Sequence, residues 1–141
     1  MYSEIKENAP NYGRIQLEEV NTSFNDSKIL NEFSLSVEPG QFVSILGTSG
    51  IGKTTLLRVI SGFKRITSGY LRINGQLASS NFVHKAPEKR NLGFVFQDYA
   101  LFPHLNVFEN IGYGISKKIK NRKNRVEELI NILGLAAHEK K

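Results

Sequence analysis

Cysteine is absent from this 141-residue chain, which removes disulfides, thiolate nucleophiles and Cys-based zinc or iron–sulfur sites together. No apolar run approaches the roughly 20 residues needed to cross a bilayer as a helix. The opening MYSEIKENAP carries acidic side chains and no apolar centre, so it does not read as a secretory signal. Internal repeats and low-complexity tracts are lacking as well. A reducing compartment is the expected setting. What is present is the composition of a globular domain, 40% hydrophobic and 23% charged. The net charge of +6 comes from 19 Lys and Arg against 13 Asp and Glu. Much of the excess is local, since Lys117, Lys118, Lys120, Arg122, Lys123 and Arg125 crowd one stretch. That stretch has no interleaved aromatics, so a solvated face beside anionic headgroups is expected rather than a nucleic-acid surface.

Residues 1–13 read as a polar leader, and 14–141 as one domain. Residues 14–24 alternate imperfectly, with Ile15, Leu17 and Val20 toward one face, and predict an edge-type strand. A second strand is expected over Ile29–Val37, stopped by Pro39-Gly40. Gln41–Gly47 and Leu92–Phe96 are compact apolar runs, and each predicts a strand covered on both faces, as in a parallel sheet. Thr54–Gly62 predicts a helix with Leu56, Leu57 and Ile60 inward. Tyr70–Leu77 predicts a hairpin around Asn74-Gly75, and residues 78–89 read as a polar loop. Val107–Gly114 predicts a short helix. Val126, Leu129, Ile130 and Leu133, at i, i+3, i+4 and i+7, predict a last helix with Gly134 as its cap.

One motif stands above the rest. GTSGIGKT, Gly47 to Thr54, fits G-x-x-x-x-G-K-[ST] between an apolar run and a helix. Its glycines let successive N–H groups curl toward one concavity, and the helix terminus adds partial positive charge. Such a nest suits the α- and β-phosphates of a nucleotide. Lys53 can reach the β- and γ-phosphates, and the Thr54 hydroxyl can ligate Mg²⁺. A phosphate loop alone names a superfamily and not an activity.

The surroundings narrow it. GTSGIGKTTLLRVISGF, the hairpin SGYLRING and the stretch EKRNLGFVFQDYALFPHLNVFENIGYG resemble the ATP-binding subunit of an ATP-binding-cassette (ABC) transporter over nearly all of residues 14–141. Thr48 and Ile51 stand where that family often has Pro and Cys, and neither position supplies an essential side chain. The resemblance implies an α/β fold: a P-loop NTPase core, an antiparallel β portion from residues 14–46 and 70–77, and the start of an α-helical subdomain. It implies that Gly47, Thr48, Ser49, Gly50, Ile51, Gly52, Lys53, Thr54 and Thr55 hold ATP with Mg²⁺. Gln97 is then the Q-loop glutamine, touching Mg²⁺ and the attacking water from the end of a buried strand, so Lys53 and Gln97 are the catalytic candidates and Thr54 and Gln97 the metal ligands. Phe24 falls where the family stacks its aromatic on adenine, or else belongs to the core of the first strand. The apolar segment Tyr99–Gly114 implies a groove for the membrane permease subunit, with a small satellite core as the other reading.

The family's signature motif, Walker B strand and switch histidine are not found in this sequence, so hydrolysis by this chain alone is not expected. The function expected is ATP binding in the energy-coupling subunit of an ABC importer, peripheral at the cytoplasmic face of the cell membrane. Its further partners would be a second ATP-binding subunit and, indirectly, an extracellular or periplasmic substrate-binding protein. Iron(III) is the first expectation for the imported substrate, beside polyamine, sulfate and sugar. The alternative is a non-transport ABC-type ATPase acting on DNA or the ribosome. His84, His104 and His138 have no metal-ligand spacing and are expected to be structural or solvated.

Overall fold

Leu17 and Val20 are both buried, at 2% and 0% exposure, although residues three apart on a regular strand point to opposite faces. The computed structural model, which describes residues 13–24, 27–116 and 119–138, shows the reason. Strand β1 (Ile15–Phe24) is bulged at Glu19, whose φ is +49°. Its register against both neighbours shifts there, which returns Val20 to the face of Leu17. Strand β2 (Ser27–Val37) has Glu32 at the same φ of +49°, between buried Leu30 and half-buried Phe33.

The chain forms two compact units, one ending at Phe94 and the other beginning at Val95. In the first, β1 and β2 join β3 (Ser68–Ile73) and β4 (Gln76–Ser79) in an antiparallel sheet of order β2-β1-β3-β4. The expected hairpin at Asn74-Gly75 is present. β1, however, is a central strand and not an edge: its polar Glu18 and Glu19 lie on the solvated face, where Glu18 pairs with Arg72 of β3 at 2.8 Å. Of the expected leader, residues 1–13, only Gly13 is among the described residues.

Helix α1 (Lys53–Ser61) packs Leu56 and Val59 against Leu17, Val20, Leu30, Ile66, Leu71, Ile73 and Ala78. The inward face is therefore centred on Leu56 and Val59, with Ile60 half-buried and Leu57 turned outward at 45% exposure. Residues 78–89 are more ordered than a polar loop, since Ala78 and Ser79 are buried and Ser79 bridges to His84.

Neither apolar run expected as a buried parallel strand is a strand here. Phe42 and Leu46 are 92% and 90% exposed, and Val95 is 83% exposed. A strand takes its hydrogen bonds from its neighbours, and among the described residues none pairs with 41–47 or 92–96. Burial begins without the ladder: Ile45 and Leu92 pack against the core, and Phe94 meets Phe63 edge-on at 5.4 Å.

In the second unit, Asn106 and Glu109 form a reciprocal capping box at the start of α2 (Val107–Gly112). Helix α3 (Arg122–Ile132) buries Val126 and Ile130. Leu129 is only half-buried, and Leu133 is 60% exposed because the helix is capped there, with Gly134 following at φ +67°. Arg122 ties the two helices together, donating to the carbonyls of Gly112 at 2.7 Å and Ile115 at 3.1 Å.

Candidate functional site

The loop Gly47–Thr54 runs straight into α1. Gly50 (φ +82°) and Gly52 (φ +108°) adopt backbone conformations that side-chain-bearing residues avoid. Gly52 is the N-cap of α1 and offers no side-chain capping bond, so the first-turn N–H groups are left to an external acceptor. Together with the positive end of the helix dipole they form an anion-seeking terminus.

Lys53 Nζ curls back over the loop and donates to the carbonyls of Gly47 at 2.8 Å and Thr48 at 2.7 Å. Phosphate oxygens are stronger partners for an ammonium than neutral carbonyls, so the lysine is placed to exchange one set for the other. Thr48, Ser49, Ile51 and Thr54 are exposed, and Thr55 is half-buried. Ile51 N–H closes the turn on the Thr48 carbonyl at 3.4 Å. No carboxylate stands among residues 47–55, and the donors are amides, hydroxyls and one ammonium. That set fits a polyphosphate, with the Thr54 hydroxyl a hard oxygen donor for Mg²⁺. A cleft of about 440 Å³ adjoins the loop, its floor apolar (Ile29, Leu30, Phe33, Leu56) and its rim including Gly52 and Lys53.

The other expected site residues fare differently. Phe24 ends β1, but its side chain lies outside the described residues. Gln97 belongs to the second unit, is exposed and sits in a turn. Because residues 92–96 gain no ladder partners, the setting expected for Gln97 at the end of a buried strand is not found. Along 99–114, Phe102 is anchored at both backbone groups by the Asn110 amide and lies 4.2 Å from the Tyr113 ring. Phe102 thus packs locally with Tyr113 and Leu105 is half-buried, whereas Tyr99 and Leu101 are 77% and 71% exposed.

His104 and His138 are exposed. His84 is half-buried, its Nε2 at 3.1 Å from the Gly62 carbonyl and its Nδ1 at 3.4 Å from a guanidinium nitrogen of Arg90. Burial, then the positive charges of Arg90 and Arg65, hold the His84 pKa below its ordinary value, against the opposing pull of the Gly62 carbonyl. Arg90 is the residue the sequence hid. It is 3% exposed and desolvation lowers its pKa, yet in the sequence it is one more cation in a polar stretch. Of the basic run, Lys117 and Lys118 lie outside the described residues, and Lys123 and Arg125 pair with Glu127 and Glu128. Among the described residues there is no cluster of His, Asp or Glu able to hold a metal, and no helix long and apolar enough to cross a membrane.

The family model described as ABC transporter matches residues 30–141. A spermidine/putrescine import ATP-binding protein of Thermotoga maritima is 41% identical over 132 residues, covering 92% of this chain and 35% of the relative. A sulfate/thiosulfate import ATP-binding protein of Pectobacterium atrosepticum is 42% identical over 128 residues, covering 86% and 38% respectively. The chain thus spans little more than a third of the length of these curated relatives. The solved structure of CbiO1 from Clostridium perfringens, described as part of the ABC transporter complex CbiONQ, superposes with a TM-score of 0.73 at 24% identity, over 90% of this chain and 53% of the other. The α/β fold of an ABC ATPase, with its antiparallel sheet, is shared.

Proposed function

The chain belongs to the ABC transporter family, and on that premise we propose that residues 47–55 bind the phosphates of ATP with Mg²⁺ within the ATP-binding subunit of an importer. The observation that carries the reading is the loop itself: two glycines in left-handed conformations, an uncapped helix terminus, and Lys53 folded over carbonyls that an anion can replace. In this reading Lys53 neutralises the β- and γ-phosphates, Thr54 offers its hydroxyl to Mg²⁺, and the amides from Thr48 to Thr55 orient the chain of phosphates. Gln97 as the group meeting Mg²⁺ and water, and Phe24 as the platform for the base, are proposals that rest on the resemblance.

Import is favoured over action on DNA or the ribosome by the two curated relatives, both of them import ATP-binding proteins. Those names put polyamine and sulfate forward as substrates. Iron(III), the first expectation from residues 88–114, has no counterpart among them, and we favour a polyamine, held by other subunits. A permease would dock along Tyr99–Gly114, where Tyr99 and Leu101 are exposed, placing the subunit at the inner face of the membrane beside a second ATP-binding subunit and, through the permease, a substrate-binding protein.

The test is calorimetric titration of the chain with Mg²⁺–triphosphate and with Mg²⁺–ATP. Hydrogen bonds to charged groups contribute about 1.5–3 kcal/mol, so Lys53→Ala should weaken both ligands by roughly tenfold or more. Equal affinity in the two proteins would overturn the reading.

A further inference from the structure

Helix α1 ends in carbonyls that Gly62 only partly satisfies. The Gly62 N–H reaches Arg58 and Val59 at 3.1 and 3.3 Å, and a helix leaves its last four carbonyls without intrahelical donors. Arg90 arrives from a segment far along the chain and fills the gap. Its Nη1 donates to the carbonyls of Val59 and Ile60, both at 2.9 Å. Its Nε donates to the Lys85 carbonyl at 2.8 Å, and its Nη2 donates to Ser79 Oγ at 2.8 Å and faces His84 Nδ1 at 3.4 Å.

A guanidinium has five N–H donors, and these five acceptors account for them. Among the described residues Arg90 has no carboxylate partner within ion-pair distance. Its charge rests on the negative pole of α1 instead. His84 completes the arrangement. Because Nδ1 faces the Arg90 donor it must accept, so the ring proton sits on Nε2 and is donated to the Gly62 carbonyl at 3.1 Å. The packing leaves no slack: a Cβ on Gly62 would lie 2.6 Å from Arg90 Nε.

We propose that Arg90, supported by His84 and Ser79, is a positioning residue of the nucleotide site: it clamps the C-terminal end of α1 and thereby fixes the orientation of the opposite end, where the phosphates bind. The inference rests on the phosphate-binding reading of residues 47–55. Among the described residues the nine-residue helix is the one regular element that runs directly from that loop, and Lys53 and Thr54 are its first residues. Freedom at the far end becomes misdirection of the N–H groups and of Lys53 at the near end, where small misplacements of donors are costly.

The test uses the chain as it stands, with inorganic triphosphate and Mg²⁺ as the probe. Arg90→Ala and Arg90→Lys are compared with the unaltered protein at a temperature where circular dichroism shows all of them folded. Lysine keeps a positive charge but has three donors on one nitrogen, so it cannot span carbonyls and Ser79 together. Triphosphate affinity should fall roughly twofold to thirtyfold in Arg90→Ala, the range of a charge at a helix terminus, and by a smaller factor in Arg90→Lys. Hydrogen exchange should speed up at the α1 amides while β1 and β3 keep their protection. General destabilisation of a still-folded protein would not lower affinity or single out α1.

If Arg90→Ala does not fold, Arg90→Lys and His84→Leu carry the same two readouts. Folded variants with unaltered triphosphate affinity and unaltered α1 exchange overturn the proposal. If instead the unaltered chain binds triphosphate no better than Lys53→Ala, the phosphate reading has failed. The clamp is then judged by α1 exchange alone, and its role at a nucleotide site is withdrawn.

Discussion

Gly52→Ala tests the phosphate loop at its tightest point, and its cost can be built from two separate terms. At φ +108° a residue with a Cβ is strained by roughly 1–2 kcal/mol. The new methyl would also stand 2.9 Å from Ile29 Cγ2 and 3.4 Å from the Ile29 carbonyl. Ile29 is half-buried on β2 and β-branched, so it cannot swing aside freely, and displacing it adds about 1 kcal/mol. The sum, about 2–3 kcal/mol, is a large part of the roughly 5–15 kcal/mol by which domains are stable. Urea unfolding followed by circular dichroism measures it, and an unchanged slope with denaturant shows that the loss belongs to the folded state. The two terms separate in a double-mutant cycle. In an Ile29→Ala background the methyl has room, so Gly52→Ala should cost only the backbone term, a coupling of about 1 kcal/mol. Additive losses would refute the steric part, and a total under about 0.5 kcal/mol would refute both.

Two further predictions concern polar groups. Since the His84 pKa is held below 6.5 in the folded chain, the unfolded chain takes up this proton first as pH falls. Stability should be level above pH 6.5 and decline below it until the folded-state pKa is passed; urea midpoints from pH 8 to 5 should show this for the unaltered chain, and His84→Asn should lose that component. In the second unit, the Asn110 side chain accepts from Phe102 N–H and donates to the Phe102, Leu105 and Asn106 carbonyls at 2.8–3.2 Å. Asn110→Ala strands those backbone groups and should cost about 1–3 kcal/mol, read as faster hydrogen exchange at Phe102.

What could be read from the sequence was what depends on neighbours in sequence. The phosphate motif, the helix it opens, Gly62 at the end of that helix and the Asn74-Gly75 hairpin are all set within a few residues. What misled was set at a distance. The bulge at Glu19 leaves no compositional trace, and with it the alternation of β1 looked like a poor edge strand, when two partners flank it. Phe42, Leu46 and Val95 are apolar enough for a buried strand, but burial needs partner strands, and hydropathy alone says nothing about who supplies them. Arg90 was hidden for the opposite reason: its five acceptors come from three separate stretches of chain.

The order β2-β1-β3-β4 also governs how the molecule can be closed. Both β2 and β3 pair with β1, yet everything between Val37 and Ser68, the phosphate loop and α1 included, lies on the excursion that joins them. The sheet must hold the ends of that excursion together, and the entropy of doing so grows only with the logarithm of its length, about 0.6 kcal/mol for each doubling. Lengthening the excursion at the exposed Gly40–Gln41 turn is therefore thermodynamically cheap for the sheet. In the folding reaction the β1–β2 hairpin can form first, while β3 waits for the excursion to be reeled in. An anion that organises the loop shortens the free part of that excursion, so ligand binding and the docking of β3 onto β1 pull in the same direction.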